Sequence, residues 1–202
     1  MNVDAGPVRP DGPRPAVFLD RDGTIIEERG FLERLEHLNI FPWTGDALRL
    51  LKRAGFATVV VTNQSAIARG LIDEAFLRHV HQSIDARLTS SGGAIDRYYF
   101  CPHFLKSRIA QYQQACTCRK PAPGMIEQAC REMDLDPRRS VMVGDRWTDV
   151  ACGQAAGTRT ILIRSGHGLS EAYAEPPEGV RADAILNNLM EAVGWILRSS
   201  SR

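Results

Sequence analysis

Short apolar runs that stop abruptly at acids or hydroxyls alternate along this chain with amphipathic stretches of helical period. Ala16-Val-Phe-Leu19 has no polar alternation, the pattern of a parallel strand covered on both faces, and it runs straight into Asp20-Arg-Asp-Gly23. Ala57-Thr-Val-Val-Val61 ends in Thr62-Asn-Gln-Ser65, Ile95 to Phe100 leads to Cys101, and Ser140-Val-Met-Val143 ends in Gly144-Asp145. Thr160 to Ile163 and a short segment at Ala184-Ile185 complete the strand candidates. Between them, Thr44 is placed to cap a helix with Ala47, Leu48 and Leu51 on one face and Gly55 at its end. Asp73 opens a second helix to about Thr89, with Phe76, Leu77, Val80, Ile84 and Leu88 at helical spacing. Gly124 to Met133, Thr148 to Ala156 and Leu189 to Leu197 read as further helices. Glu27 to Phe41 has no clean period and reads as a long loop leaving the first acidic turn. Strands alternating with helices predict an α/β fold with a doubly wound parallel sheet.

The 202 residues suit a single domain, expected over 16–198, after a flexible leader at 1–15 that holds four prolines and two glycines. Lys and Arg number 25 against 24 Asp and Glu, a net charge of +1 that gives no broad footprint for nucleic acid or an anionic membrane. A small-molecule partner fits better. No apolar run reaches the roughly 18 residues that a membrane span needs, and the first residues lack the apolar core of a signal peptide. The expected compartment is the cytoplasm. There, five cysteines read as thiols or metal ligands rather than a disulfide framework.

Open α/β sheets bind ligands outside the carboxyl ends of their strands. Here those ends deliver Asp20 and Asp22, then Thr62, then Asp145 with Asp149 four residues on, while Lys120 enters from a loop. Each has an ordinary structural alternative as a turn residue, a strand-end hydroxyl, a surface charge or a helix cap. Together they form an inventory for phosphoryl transfer. A carboxylate can attack phosphorus, a hydroxyl and an ammonium can stabilise the equatorial oxygens, and the remaining carboxylates suit magnesium, a hard oxygen-seeking cation.

Cys101-Pro-His103 and Cys116-Thr-Cys118 bracket a hydrophilic loop at 101–118. Three thiols and one imidazole match a closed tetrahedral zinc site of structural type. A cluster of buried thiols or a disulfide is the alternative, and a reducing compartment with poor Cys116–Cys118 spacing favours zinc over a disulfide. Cys118 directly precedes Arg119-Lys120, so fixing the loop fixes two cations. Cys130 and Cys152 lie in predicted helices and read as core thiols.

Phe18-Leu-Asp-Arg-Asp-Gly-Thr24, Val61-Thr62, Lys120-Pro121 and Val143-Gly-Asp-Arg-Trp-Thr-Asp149 resemble the four motifs of the haloacid dehalogenase (HAD) superfamily of aspartyl phosphatases, over roughly 16–164. The resemblance implies a HAD-like Rossmannoid fold. It also implies Asp20 as nucleophile, Asp22 as general acid and then base, and Thr62 and Lys120 as ligands of the transferring phosphoryl group. Asp20, the Asp22 backbone carbonyl and Asp145 would surround magnesium, with Asp149 supporting them. Within the superfamily, the zinc loop and the phrases Thr62-Asn-Gln-Ser-Ala-Ile-Ala-Arg-Gly70 and Cys118-Arg-Lys-Pro-Ala-Pro-Gly124 are similar to the D-glycero-D-manno-heptose 1,7-bisphosphate 7-phosphatase family, which is monomeric and capless. That similarity points to Glu28, Arg29, Gly30, Phe31, Thr62, Asn63, Gln64, Ser65, Arg119, Lys120 and Arg146 as contacts to a sugar phosphate, with magnesium and zinc as cofactors. Ala66, where that family often has Gly, and Arg146, where Lys is common, depart from its pattern. Histidinol-phosphate phosphatases share the acidic pair and the zinc loop but match the Thr62 segment less well. In a phospho-accepting receiver module the acceptor Asp ends a middle strand ahead of the Thr, whereas here Thr62 ends the strand following the acidic pair, and the 202 residues exceed the length of such a module. A non-catalytic binding relative is the remaining alternative, although no catalytic position is missing.

Overall fold

The computed structural model describes residues 12–200. The expected leader therefore lies, over 1–11, outside the described residues. Arg14 is already engaged, in an isolated bridge to Leu135. Among the described residues six strands form one parallel sheet: β1 (Ala16–Leu19), β2 (Ala57–Asn63), β3 (Arg97–Cys101), β4 (Val141–Gly144), β5 (Arg159–Ile163) and β6 (Ala184–Leu186). Their order is β3-β2-β1-β4-β5-β6. This is the doubly wound order that reverses direction between β1 and β4, and the crevice at that reversal is where such sheets take ligands. Asp20 follows β1 and Asp145 follows β4, so the two acids flank the crevice. The Asp20 N–H donates to the Val143 carbonyl at 2.9 Å, which fixes their relative height.

Helices α1 (Thr44–Arg53), α2 (Ser65–Ala68), α3 (Glu74–Thr89), α4 (Gly124–Met133), α5 (Trp147–Ala155), α6 (Gly168–Tyr173) and α7 (Leu189–Ser200) complete the described elements. The strand period of two splits β1 between two cores. Val17 and Leu19 pack with Leu48 and Leu51 of α1, Ile84 of α3 and Ile196 of α7. Ala16 and Phe18 face the other way, against Met125, Ile126 and Ala129 of α4. All of these side chains are fully buried, and burying each large one stabilises the fold by about 2 kcal/mol. The segments linking β1 to α1 and β3 to α4 hold only single 3-10 turns, at Leu35–His37 and Ala110–Tyr112. Among the described residues no cap domain covers the strand ends. No helix among the described residues is long and apolar enough to cross a membrane.

Several local expectations shift for identifiable reasons. Thr44 is not the cap of α1 but its first residue, and its hydroxyl donates to the Ile25 carbonyl at 3.0 Å, tying α1 to the acidic turn. Asp73 does cap α3, accepting the Phe76 N–H at 2.7 Å. β3 begins at Arg97 rather than Ile95 because the Asp96 carboxylate takes the Thr58 N–H at 2.8 Å. α2 and α6 were not anticipated. Four residues are too few to show a period, and in α6 only Gly168 is buried while Leu169 and Tyr173 face outward.

Candidate active site

Lys120 reaches into the crevice from the loop ahead of α4 and is fully buried with three acceptors for its three N–H bonds. Its Nζ lies 2.6 Å from Asp20 Oδ1, 2.6 Å from Asp149 Oδ1 and 2.9 Å from the Val61 carbonyl. Burial alone would lower its pKa, but Asp149 and Asp20 together raise it, so the ammonium stays charged. Asn63, the last residue of β2, sets its position from the backbone. The amide oxygen accepts the Lys120 N–H at 3.0 Å and the amide nitrogen donates to the Lys120 carbonyl at 3.1 Å.

Facing Lys120 stand three buried carboxylates. Asp20, Asp145 and Asp149 bring ligand-capable oxygens within 4.8 Å of one another. Burial, with the neighbouring acids, pushes Asp20 up to about 7 and Asp145 up to about 8, although Lys120 pulls both downward. A cluster this short of positive charge is stable ionised only with another cation. Asp149 is committed elsewhere, with one oxygen on Lys120 and the other accepting the Arg146 N–H at 3.0 Å at the start of α5. Asp20 and Asp145 are left to face a metal, and their all-oxygen character suits magnesium. Asp145 is held by the His167 N–H at 2.7 Å. Gly23 and Gly166, both at positive φ, make room for it, since a Cβ at either would overlap Asp145 Oδ2.

Asp22 turns away from that trio. Its Oδ1 accepts from Arg21 at 2.8 Å and its Oδ2 from Gln64 at 2.9 Å. Its side chain is thus not part of the metal-facing set, which leaves only its backbone carbonyl for that expected role. Thr62, at the end of β2, presents its hydroxyl beside Gln64.

A cleft of about 480 Å³, within the roughly 300–1,000 Å³ usual for small-molecule sites, opens over Asp20, Asp22, Thr62, Lys120 and Asp149, while Asp145 is not among its lining residues. Of the residues expected to contact substrate, Glu28, Gly30, Phe31, Thr62, Asn63, Gln64, Ser65, Arg119, Lys120 and Arg146 line it. Arg29 does not; its guanidinium bonds Glu27 at 2.9 Å on the exposed side of the loop. Arg119 is half-buried beside Phe104, donating to the His103 carbonyl at 3.2 Å. Ala66 falls in α2, where a Cβ is tolerated, so this departure from the family pattern leaves the backbone intact. Arg21, Thr148 and His167 also line the cleft and were missed by sequence reasoning. The β1 pattern gives no sign that the Arg between two aspartates is buried. His167 arrives from the loop after β5 and its Nε2 lies 3.6 Å from Glu28.

The Cys/His loop converges as expected. Cys101 Sγ lies 3.6 Å from Cys116 Sγ and 3.1 Å from Cys118 Sγ, and His103 Nδ1 lies 3.7 Å from Cys101 Sγ and 3.3 Å from Cys118 Sγ. None of these cysteines is in a disulfide. Tetrahedral zinc with bonds of about 2.3 Å to sulfur separates its ligands by about 3.7 Å, so a slight expansion accommodates the ion. Burial pushes the Cys101 and Cys118 thiols upward, and a bound cation is what makes thiolates of them. The His103 Nε2 lies 2.7 Å from the Gln114 amide, an outer contact of the kind that orients a ligating imidazole. Ser107 and Tyr112 anchor the rest of the loop, through the Ala68 carbonyl and Glu74 Oε1 respectively. Cys152 is buried and Cys130 is half-buried, both packed in the core beside Met125 and Ala129.

Comparison with known proteins agrees with this geometry. The HAD-hydrolase-like family model matches residues 117–192. The D-glycero-beta-D-manno-heptose-1,7-bisphosphate 7-phosphatase of Haemophilus ducreyi is 37% identical over 91% of this chain and 98% of its own, and that of Yersinia pestis is 39% identical over 88% and 92%. The crystal structure of D,D-heptose 1,7-bisphosphate phosphatase from B. bronchiseptica, complexed with magnesium and phosphate, superposes with a TM-score of 0.80 at 30% identity, covering 92% of this chain and 99% of that one. At such identity over nearly the whole length, this chain belongs to the D-glycero-beta-D-manno-heptose-1,7-bisphosphate 7-phosphatase family of HAD-like hydrolases.

Proposed function

We propose that the protein is a magnesium-dependent phosphoric monoester hydrolase that removes the C7 phosphate of D-glycero-D-manno-heptose 1,7-bisphosphate. The observation that carries this reading is the buried Asp20–Lys120–Asp149 triad beneath a cleft rimmed by Arg119 and Arg146. Asp20 Oδ attacks phosphorus as the ester P–O bond breaks, and the Asp22 carboxyl gives its proton to the leaving alkoxide. Asp22 then takes a proton from water, whose oxygen attacks the aspartyl phosphate, freeing inorganic phosphate and restoring Asp20. Lys120 holds the nucleophile in line and Thr62 binds the phosphoryl oxygens. Asp20, the Asp22 carbonyl and Asp145 would hold the magnesium, which supplies charge neutralisation for the incoming phosphate. Zinc at Cys101, His103, Cys116 and Cys118 would fix the loop that carries Arg119. The enzyme is expected to act as a monomer in the cytoplasm on this small molecule, with no nucleic-acid or membrane partner.

With no cap domain, the second phosphate of a bisphosphate must be recognised by the rim. Arg119 and Arg146 offer it charge-assisted hydrogen bonds. In a panel of phosphate esters assayed with magnesium, the heptose bisphosphate is expected to exceed histidinol phosphate in kcat/KM. Arg119→Ala should lower the bisphosphate value by about 30-fold while changing a simple monophosphate ester by less than about threefold. Equal losses on both would remove Arg119 from recognition, and a preference for histidinol phosphate would overturn the substrate assignment.

The raised carboxyls also predict how magnesium stabilises the fold. Folded Asp20 and Asp145 bind protons more tightly than unfolded ones, so their contribution to metal-free stability is greatest at low pH and falls as pH rises from about 4 toward 8. Magnesium offsets that loss. The melting temperature should therefore rise on magnesium addition by about 5 °C more at pH 8 than at pH 5; an equal gain at both would contradict the placement of the ion between these acids.

A further inference from the structure

Gln64 has no hydrogen-bond donor left for a substrate. Its amide nitrogen donates to Asp22 Oδ2 at 2.9 Å and to Thr62 Oγ1 at 2.8 Å, and its amide oxygen accepts from Arg21 at 3.1 Å. Only 5% of its surface is exposed. The reverse amide orientation would set its oxygen against the Asp22 carboxylate, so the network itself fixes which end is which. Arg21, at 2% exposure, closes the ring by donating to Asp22 Oδ1 at 2.8 Å from the same nitrogen that reaches Gln64. Two consequences follow from the donor count. Both Asp22 oxygens are gripped from one side, so the carboxyl plane cannot rotate. The Thr62 oxygen already accepts a bond, so its own hydrogen is left to point elsewhere, into the cleft.

We propose that Gln64 and Arg21 are positioning residues that aim the Asp22 carboxyl at the leaving oxygen, and that Gln64 also orients the Thr62 hydroxyl as a donor to the phosphoryl group. This rests on the reading of Asp22 as the general acid. A buried guanidinium spent on a neighbouring side chain is otherwise hard to account for, because its Nε and other terminal nitrogen have no partner.

Leaving-group dependence separates positioning from a structural role. An alkoxide needs a proton to depart and 4-nitrophenolate does not, so loss of the aimed acid penalises alkyl phosphates selectively. The comparison uses the best alkyl phosphate in the panel and 4-nitrophenyl phosphate, with magnesium present. Rates are compared as kcat/KM, which reads the leaving-group step and not the later hydrolysis of the aspartyl phosphate in which Asp22 is the base; Asp22→Asn should collapse the alkyl-to-aryl ratio of kcat/KM. Gln64→Met, which keeps volume and removes every bond, should lower the alkyl rate by about 100-fold and the aryl rate by about tenfold or less, the latter through Thr62. In the Asp22→Asn background Gln64→Met should leave the ratio unchanged, because the acid it aims is gone. If Gln64→Met melts early, Arg21→Lys, which keeps a buried cation, carries the same comparison and should lower the alkyl rate alone. Equal loss on both esters in these variants, with Asp22→Asn still selective, would overturn the proposal and leave the acid in place. An Asp22→Asn enzyme with an unchanged ratio would overturn the acid assignment and the proposal together.

Discussion

Asp20→Asn is expected to lower kcat by at least about 10⁴-fold, the scale seen when a covalent nucleophile is removed, while leaving the protein folded. An amide keeps the shape of the carboxyl but has no anionic oxygen to attack phosphorus, and nothing else in the cleft can take over. Asp22 is tied to Arg21 and Gln64, and Asp149 is spent on Lys120 and the start of α5. Stability should respond in the opposite direction to activity. Asp20 is buried beside Asp22, Asp145 and Asp149, and its carboxyl is already pushed up to about 7 without metal, so removing its charge relieves repulsion. Lys120 keeps Asp149 and the Val61 carbonyl. Metal-free Asp20→Asn should melt within a few degrees of the parent at pH 7.5, and magnesium should raise that melting point far less than in the parent. Calorimetry with and without magnesium, beside a steady-state assay, reads both.

Cys118→Ser is expected to have the largest effect on stability and to act on catalysis through one residue. Cys118 is two positions from Lys120, whose Nζ lies 2.6 Å from Asp20, the proposed nucleophile. A hydroxyl in place of the thiol leaves a three-ligand site, and since metal binding and local folding are one equilibrium, several kcal/mol of loop stability go with it. At roughly 2–4 °C per kcal/mol for a chain of this size, the melting temperature should fall by about 10 °C. Ser107 and Tyr112 keep the middle of the loop attached to α2 and α3, so the damage concentrates at its two ends. The purified parent should carry one zinc through dialysis, while magnesium must be supplied. Absence of zinc from chelator-free preparations, with the three thiols of Cys101, Cys116 and Cys118 free to react in the native loop, would contradict this.

The placement of the chemistry was legible because it follows from strand ends. An apolar run that stops at an acid or hydroxyl marks the carboxyl edge of a parallel sheet, and Asp20, Thr62 and Asp145 fall there. The cysteine spacing likewise carried its own geometry. What the pattern did not carry was the inward side of polar residues. Thr44 looks like a helix cap but spends its hydroxyl on Ile25, and Arg21 looks like an exposed residue between two acids but is buried. Gln64 lines the cleft as expected, and both of its donors are also spent on protein partners, Asp22 and Thr62. Each depends on what a neighbouring element brings to the same spot, a fact absent from local periodicity. His167 belongs to the same class, since its backbone contact with Asp145 follows from the turn after β5 and from two glycines without side chains in the way.

On the proposed function, the cleft selects the C7 phosphate and leaves the anomeric one, with the primary ester at Asp20 and the distant group at Arg119 and Arg146. Phosphorus NMR of the heptose 1,7-bisphosphate turning over with magnesium tests this in one experiment. The C7 monoester signal should disappear first as inorganic phosphate grows, with the C1 signal unchanged until the bisphosphate is exhausted. Loss of the C1 signal first, or of both at equal rates, would contradict it.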